Sequence, residues 1–79
     1  MSILEKVRGI VAECMDMDIH SLDDNAELFE MEGFDSMRSV MILAKIEDEF
    51  GIMIPEDDIF DLATINEWAA EVYKIKEQN

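Results

Sequence analysis

The stretch GFDSMRSVMILAKIEDEFG, Gly33 to Gly51, carries the longest clean helical pattern in the chain. Asp35 stands where an N-cap carboxylate accepts a bond from the first free N–H groups, and Gly51 supplies the left-handed residue that ends a helix. The spacing therefore predicts a helix from Ser36 to about Phe50. Val40, Leu43, Ile46 and Phe50 recur at helical intervals and are expected on its buried face. One feature is left over. Ser36 follows an acid at the helix start, where a plain cap would suffice.

On the N-terminal side, SILE pairs Ser2 with Glu5 in a capping-box pattern that opens a first helix. Ile3, Val7, Ile10 and Cys14 mark its apolar stripe, flanked by Leu4 and Val11. A long Asp-rich connection, about Met17 to Asp35, lacks strand alternation. Leu22, Leu28 and Phe29 are expected to pin it to the core, because a loop this long must be tied down or functional. On the C-terminal side, IMIP extends briefly, and PEDDIF opens a short third helix with Pro55 in its first turn. TINE repeats the capping-box pattern through Thr64 and Glu67. The last helix turns Ile65, Trp68, Ala69, Val72 and Ile75 inward. The fold class is thus all-α: one domain spanning 1–79, a small four-helix bundle with a long first loop.

Seventy-nine residues leave room for one core, whose stability margin is roughly 3–5 kcal/mol at this size. One cysteine excludes an internal disulfide framework and fits a reducing compartment. Glu5, Lys6 and Arg8 interrupt the N-terminus, so no signal peptide is read there. No apolar run approaches the roughly 20 residues a membrane span needs. A soluble, cytoplasmic monomer is expected. The charge is extreme: 20 acids against 6 bases give −14 and a pI near 4.1. Nine acids and no base lie between Arg8 and Arg38, and nine more acids between Lys45 and Lys74. Such a field repels nucleic acid and anionic membrane and favours basic protein surfaces.

Catalytic constellations are absent from the pattern. A serine nucleophile needs a positioned base, and the only histidine, His20, falls in the long loop. One Cys and one His cannot build a zinc site, and there is no Gly-rich phosphate loop. An enzyme is not expected. A calcium loop is the rival reading. From Asp16 to Glu27, acids fall at positions 1, 3, 9 and 12 of an EF-hand register through Asp16, Asp18, Asp24 and Glu27. His20 stands at position 5 and Ser21 where the turn wants Gly. Seven methionines in an acidic chain also suit a Met-rich sensor groove, so a calcium-binding interaction protein is the alternative. Cys14 and Trp68 sit on apolar stripes and read as core.

GFDSMRSVMILAKIEDEFGIMIPEDDIFDLATINEWA, residues 33–69, resembles the acyl carrier proteins and, more broadly, phosphopantetheine-binding carrier domains. The match lies in Asp35-Ser36-Met37 opening a helix, in EDEFGIMIPEDDI at its distance beyond, and in DLATINEWA opening the last helix. The resemblance extends over the whole chain, the acidic first loop included.

The resemblance implies that Ser36 takes 4′-phosphopantetheine from coenzyme A through a separate phosphopantetheinyl transferase, with Asp35 and Met37 beside the attachment point. The transferase brings its own magnesium and base, so this chain needs neither a metal nor an activating residue. The arm's thiol carries acyl groups as thioesters, which leaves Cys14 no carrier role. An acyl pocket is expected around Met37, Val40, Met41, Leu43 and Ile46. Asp35, Glu47, Asp48 and Glu56 match the family's acidic docking positions for acyl-loading and acyl-transfer enzymes with basic surfaces. Arg38 and Met41 stand where fatty-acid-synthesis carriers show acids, which points to a specialised lipid or secondary-metabolite pathway. Fatty acyl, hydroxyacyl, polyketide and aminoacyl cargo all ride the same arm.

Overall fold

The computed structural model describes residues 2–78. Its frame is three α-helices: α1 over Ile3–Met15, α2 over Ser36–Phe50 and α3 over Ile65–Gln78. A short 3-10 helix, Glu56–Asp61, lies between the last two, and single 3-10 turns at Ile19–Ser21 and Leu28–Glu30 punctuate the long first connection. No strand occurs among the described residues. The all-α four-helix architecture expected from the sequence is the one observed.

Local chemistry sets the helix ends. The Glu5 N–H donates to Ser2 Oγ at 3.1 Å while the Ser2 N–H donates to Glu5 Oε1 at 3.4 Å, closing the capping box of α1. Asp16 ends that helix in the left-handed region, φ 55°, and Gly51 ends α2 at φ 64°. At α3 the Glu67 N–H donates to Thr64 Oγ1, but the Glu67 carboxylate accepts from Ala63 rather than Thr64. Pro55 caps the short third helix from outside rather than filling its first turn. That segment winds as 3-10 and fully buries none of its residues, so it is the most lightly held element of the frame.

The core gathers around α1, which packs against both α2 and α3. Val7, Val11, Leu28, Ile42, Ile46, Ile65, Trp68 and Val72 are essentially sealed from solvent. Two expectations are corrected here. The buried stripe of α2 runs through Ser39, Ile42, Leu43 and Ile46, while Val40 is 58% exposed. Ser39 can enter because its hydroxyl donates back to the Asp35 carbonyl at 3.4 Å, which satisfies the polar atom locally. Phe29 is 45% exposed rather than pinned. Its neighbour Leu28 does the anchoring, fully buried and with its N–H donating to the Ala63 carbonyl at 2.7 Å.

Two charged contacts act on the frame with opposite signs in pH. Arg8 grips Asp24 bidentately, at 2.8 and 2.6 Å, tying α1 to the long loop. This hydrogen bonding holds the Asp24 carboxyl below its usual range. Its stabilisation is therefore present above the unfolded pKa and lost as pH falls through the folded one. Glu71 of α3 shares a hydrogen bond with Asp58 of the short helix, and that contact, with burial, raises the Glu71 carboxyl. Its contribution is present below the unfolded pKa and lost as pH rises through the folded one, so the contact opposes folding at neutral pH. Glu71→Gln should accordingly raise the Tm at pH 7, with the gain shrinking as the pH enters the carboxyl range. A Tm at pH 7 unchanged or lowered in thermal melts would show that the two acids do not strain the bundle.

Candidate functional site

Gly33 and Asp35 deliver Ser36 to the surface. Gly33 sits at φ 86°, a turn that side chains disfavour, and the chain behind it puts Phe34 half inside and Asp35 outside. Asp35 is extended and its Oδ1 accepts from the Arg38 N–H at 2.9 Å, capping α2. Ser36 is then the first helical residue, exposed, with the first-turn N–H groups of the helix around its hydroxyl. Negative charge is favoured at such a helix end.

Beside Ser36 lies a mainly apolar cleft of about 310 Å3. Phe29 and Phe34 meet edge to face at 5.4 Å on one side of it, and Val40, Ile59 and Phe60 line the rest. Asp35 is the only ionisable residue in its lining. His20 lines a different depression, with Glu5, Arg8 and Asp24, and not this one. The arrangement presents a hydroxyl with an apolar shelf and no basic side chain to activate it. That fits a group attached by another enzyme: an open hydroxyl, donors for a phosphodiester and an apolar surface beside it.

The expected pocket residues part company. Met37 and Met41 lie on the outer surface, 70% and 43% exposed; Ile46 is sealed in the core. Val40 and Leu43 alone come together in one depression, with Ile59 and Phe60. Phe29, Phe34, Phe60 and Ile59 were not expected there. The available signal was the pair of phenylalanines just ahead of Ser36, close to the Gly33 turn.

The expected docking residues also divide. Asp48, Glu56 and Met41 are exposed. Glu47 is half-buried, its carboxylate accepting from the Ile54 N–H at 2.8 Å, so it holds the connection after α2. Arg38 is half-buried as well, and its guanidinium donates to the Cys14 carbonyl at the end of α1. This corrects the picture of a cation displayed to partners. The last carbonyls of α1 lack helical partners and carry the negative end of the dipole, and Arg38 is the cation within reach. Cys14 itself is buried, and burial pushes its thiol up.

The calcium-loop reading loses its ligands to other tasks. Asp24 is held by Arg8, and Asp18 Oδ1 accepts from the His20 N–H to cap a 3-10 turn. Among the described residues no three His, Cys, Asp or Glu side chains gather closely enough to hold a metal ion. No described helix is long and apolar enough to cross a membrane.

Residues 5–72 match the family model described as a phosphopantetheine attachment site. The acyl carrier protein of Thermosynechococcus vestitus is 35% identical over 65 residues, covering 82% of this chain and 80% of that one. That of Caulobacter vibrioides is also 35% identical, over 82% and 83%. Among solved structures, an acyl carrier protein from Enterococcus faecalis superposes with a TM-score of 0.77 at 22% identity, covering 95% of this chain and 99% of its own. A free-standing peptidyl carrier protein from Acinetobacter baumannii reaches 0.72 at 24%, covering 96% and 91%. At those identities the two structures speak for the fold alone. The chain belongs to the phosphopantetheine-binding family, as a carrier of the acyl-carrier-protein type whose cofactor is a covalent 4′-phosphopantetheine arm.

Proposed function

We propose that Ser36 is the attachment point, with residues 1–79 acting as one carrier domain in the cytoplasm. The observation that carries this is the exposed Ser36 hydroxyl at the capped start of α2, beside an apolar cleft and away from any base. The arm supplies a terminal thiol that holds acyl groups as thioesters. This chain's residues supply the rest. Asp35 fixes the helix start, the first-turn N–H groups favour the phosphodiester, and the bundle presents the site to enzymes that perform the chemistry. Incubation with coenzyme A and a broad-specificity phosphopantetheinyl transferase, followed by intact mass measurement, tests the assignment.

The partners are a phosphopantetheinyl transferase and acyl-handling enzymes with basic docking surfaces. Exposed Asp48 and Glu56 support that reading, as does Asp35 at the attachment point. A specialised pathway is favoured by the outer face of α2. From Ser36 to Ile46 it holds no acid, in a chain of net charge −14, and Met37, Val40 and Met41 stand exposed there. Met41→Glu should then improve kcat/KM with standard fatty-acid-synthesis enzymes by about 2–5-fold at low salt, and less at high salt. Arg38 is left in place because it holds the Cys14 carbonyl. If the unmodified chain already matches a housekeeping carrier in that assay, the specialisation is wrong.

A further inference from the structure

The cleft at Ser36 is the first of three depressions that run together between α2 and the segment from Met53 to Phe60. The first and second share Val40, Ile59 and Phe60. The second and third share Leu43 and Glu56, and the third reaches Met53 and Ile54. On the α2 side the wall positions are 36, 40, 43 and 47, a spacing that keeps them on one helical stripe. The groove therefore starts at the attachment serine and follows α2 for about 11 residues, or ~16 Å at the helical rise. Resting on the carrier reading of Ser36, we infer that this surface groove is the seat of the phosphopantetheine arm itself, and that it leaves the thioester against Met53 and Ile54, outside the bundle core.

Length and chemistry both fit. From the serine oxygen to the sulfur the arm has about fourteen bonds, which spans ~16 Å at the extension of a peptide chain. Its branched dimethyl portion lies nearest the phosphate and meets the apolar cleft of Val40 and Phe60. Its two amide N–H groups lie further along, where the walls turn acidic through Asp57, Glu56 and Glu47 and offer acceptors. The core offers the cargo no comparable room: Ile46 and Val72 have no exposed surface. The outer wall is the 3-10 helix, which buries none of its residues completely and can adjust to a bound chain.

Methyl-labelled protein decides this by NMR, comparing the apo form with the same protein carrying the arm and then a hexanoyl arm. Shifts and cross-relaxation should run from Val40 through Leu43 to Met53, with Ile46 and Val72 still. Val40→Glu should release the far end, so that the Met53 contacts vanish while the mass of the arm remains. Contacts at Ile46 and Val72 would place the cargo inside the bundle and overturn the groove. Contacts confined to the neighbours of Ser36 would leave the arm in solvent and overturn it equally. Failure to gain the arm's mass at all overturns the carrier reading first, and the groove with it.

Discussion

Trp68→Ala should leave little folded protein at ordinary temperature. Trp68 is 1% exposed, at the middle of the α3 stripe between Ile65 and Val72. Truncating a buried Trp or Phe typically costs ~3–5 kcal/mol, through lost transfer energy and the cavity left behind. A single core of this size supplies a margin of only roughly 3–5 kcal/mol, so the loss is comparable to the whole. The indole complicates the ledger, since its Nε1 is buried with no hydrogen-bond partner. An unsatisfied buried donor costs about 1–3 kcal/mol, and Trp68→Phe removes that penalty while keeping much of the ring. The phenylalanine variant should therefore stay folded where the alanine variant does not. Tyr73→Ala, on the exposed side of the same helix, should change stability by no more than about 0.5 kcal/mol. Urea unfolding followed by circular dichroism measures all three. A Trp68→Ala transition within about 1 kcal/mol of the parent would mean that the core does not centre on α3.

What the sequence made legible, and what it hid, follows from the range of the interactions. The limits of α2 were readable because Asp35 and Gly51 act within a turn of the helix end. Ser2 with Glu5, and the inward run of Ile65, Trp68 and Val72, are equally local signals. Val40 was placed inside because apolar spacing was weighed without the option of burying Ser39, whose hydroxyl bonds within its own helix. Residues that find partners across the fold were misjudged more deeply. Arg38 reads as a surface cation until the end of α1 arrives beside it, and Glu47 as a free acid until Ile54 folds back. The cleft is assembled from the long loop, α2 and the 3-10 helix, so no one segment carries its pattern. Ser36 itself was legible from its setting in the motif rather than from its immediate neighbours.

That serine supports the second large effect, which is all or none. Ser36→Ala should fold as the parent does, because the side chain is exposed at the first helical position and the cap is Asp35. Surface changes of this kind move stability by about 0.5 kcal/mol or less. Loading, by contrast, needs the hydroxyl oxygen and has no substitute nearby. Ser39 is buried, with its hydroxyl turned to the Asp35 carbonyl, and Ser21 donates to the Asp18 carbonyl in the long loop. The decisive measurement is intact mass after incubation with coenzyme A, magnesium and a broad-specificity phosphopantetheinyl transferase. The account predicts one phosphopantetheine per chain for the parent and for Ser21→Ala, and none for Ser36→Ala. A parent left unmodified where another acyl carrier protein loads, or a Ser36→Ala chain that still gains the arm, contradicts it.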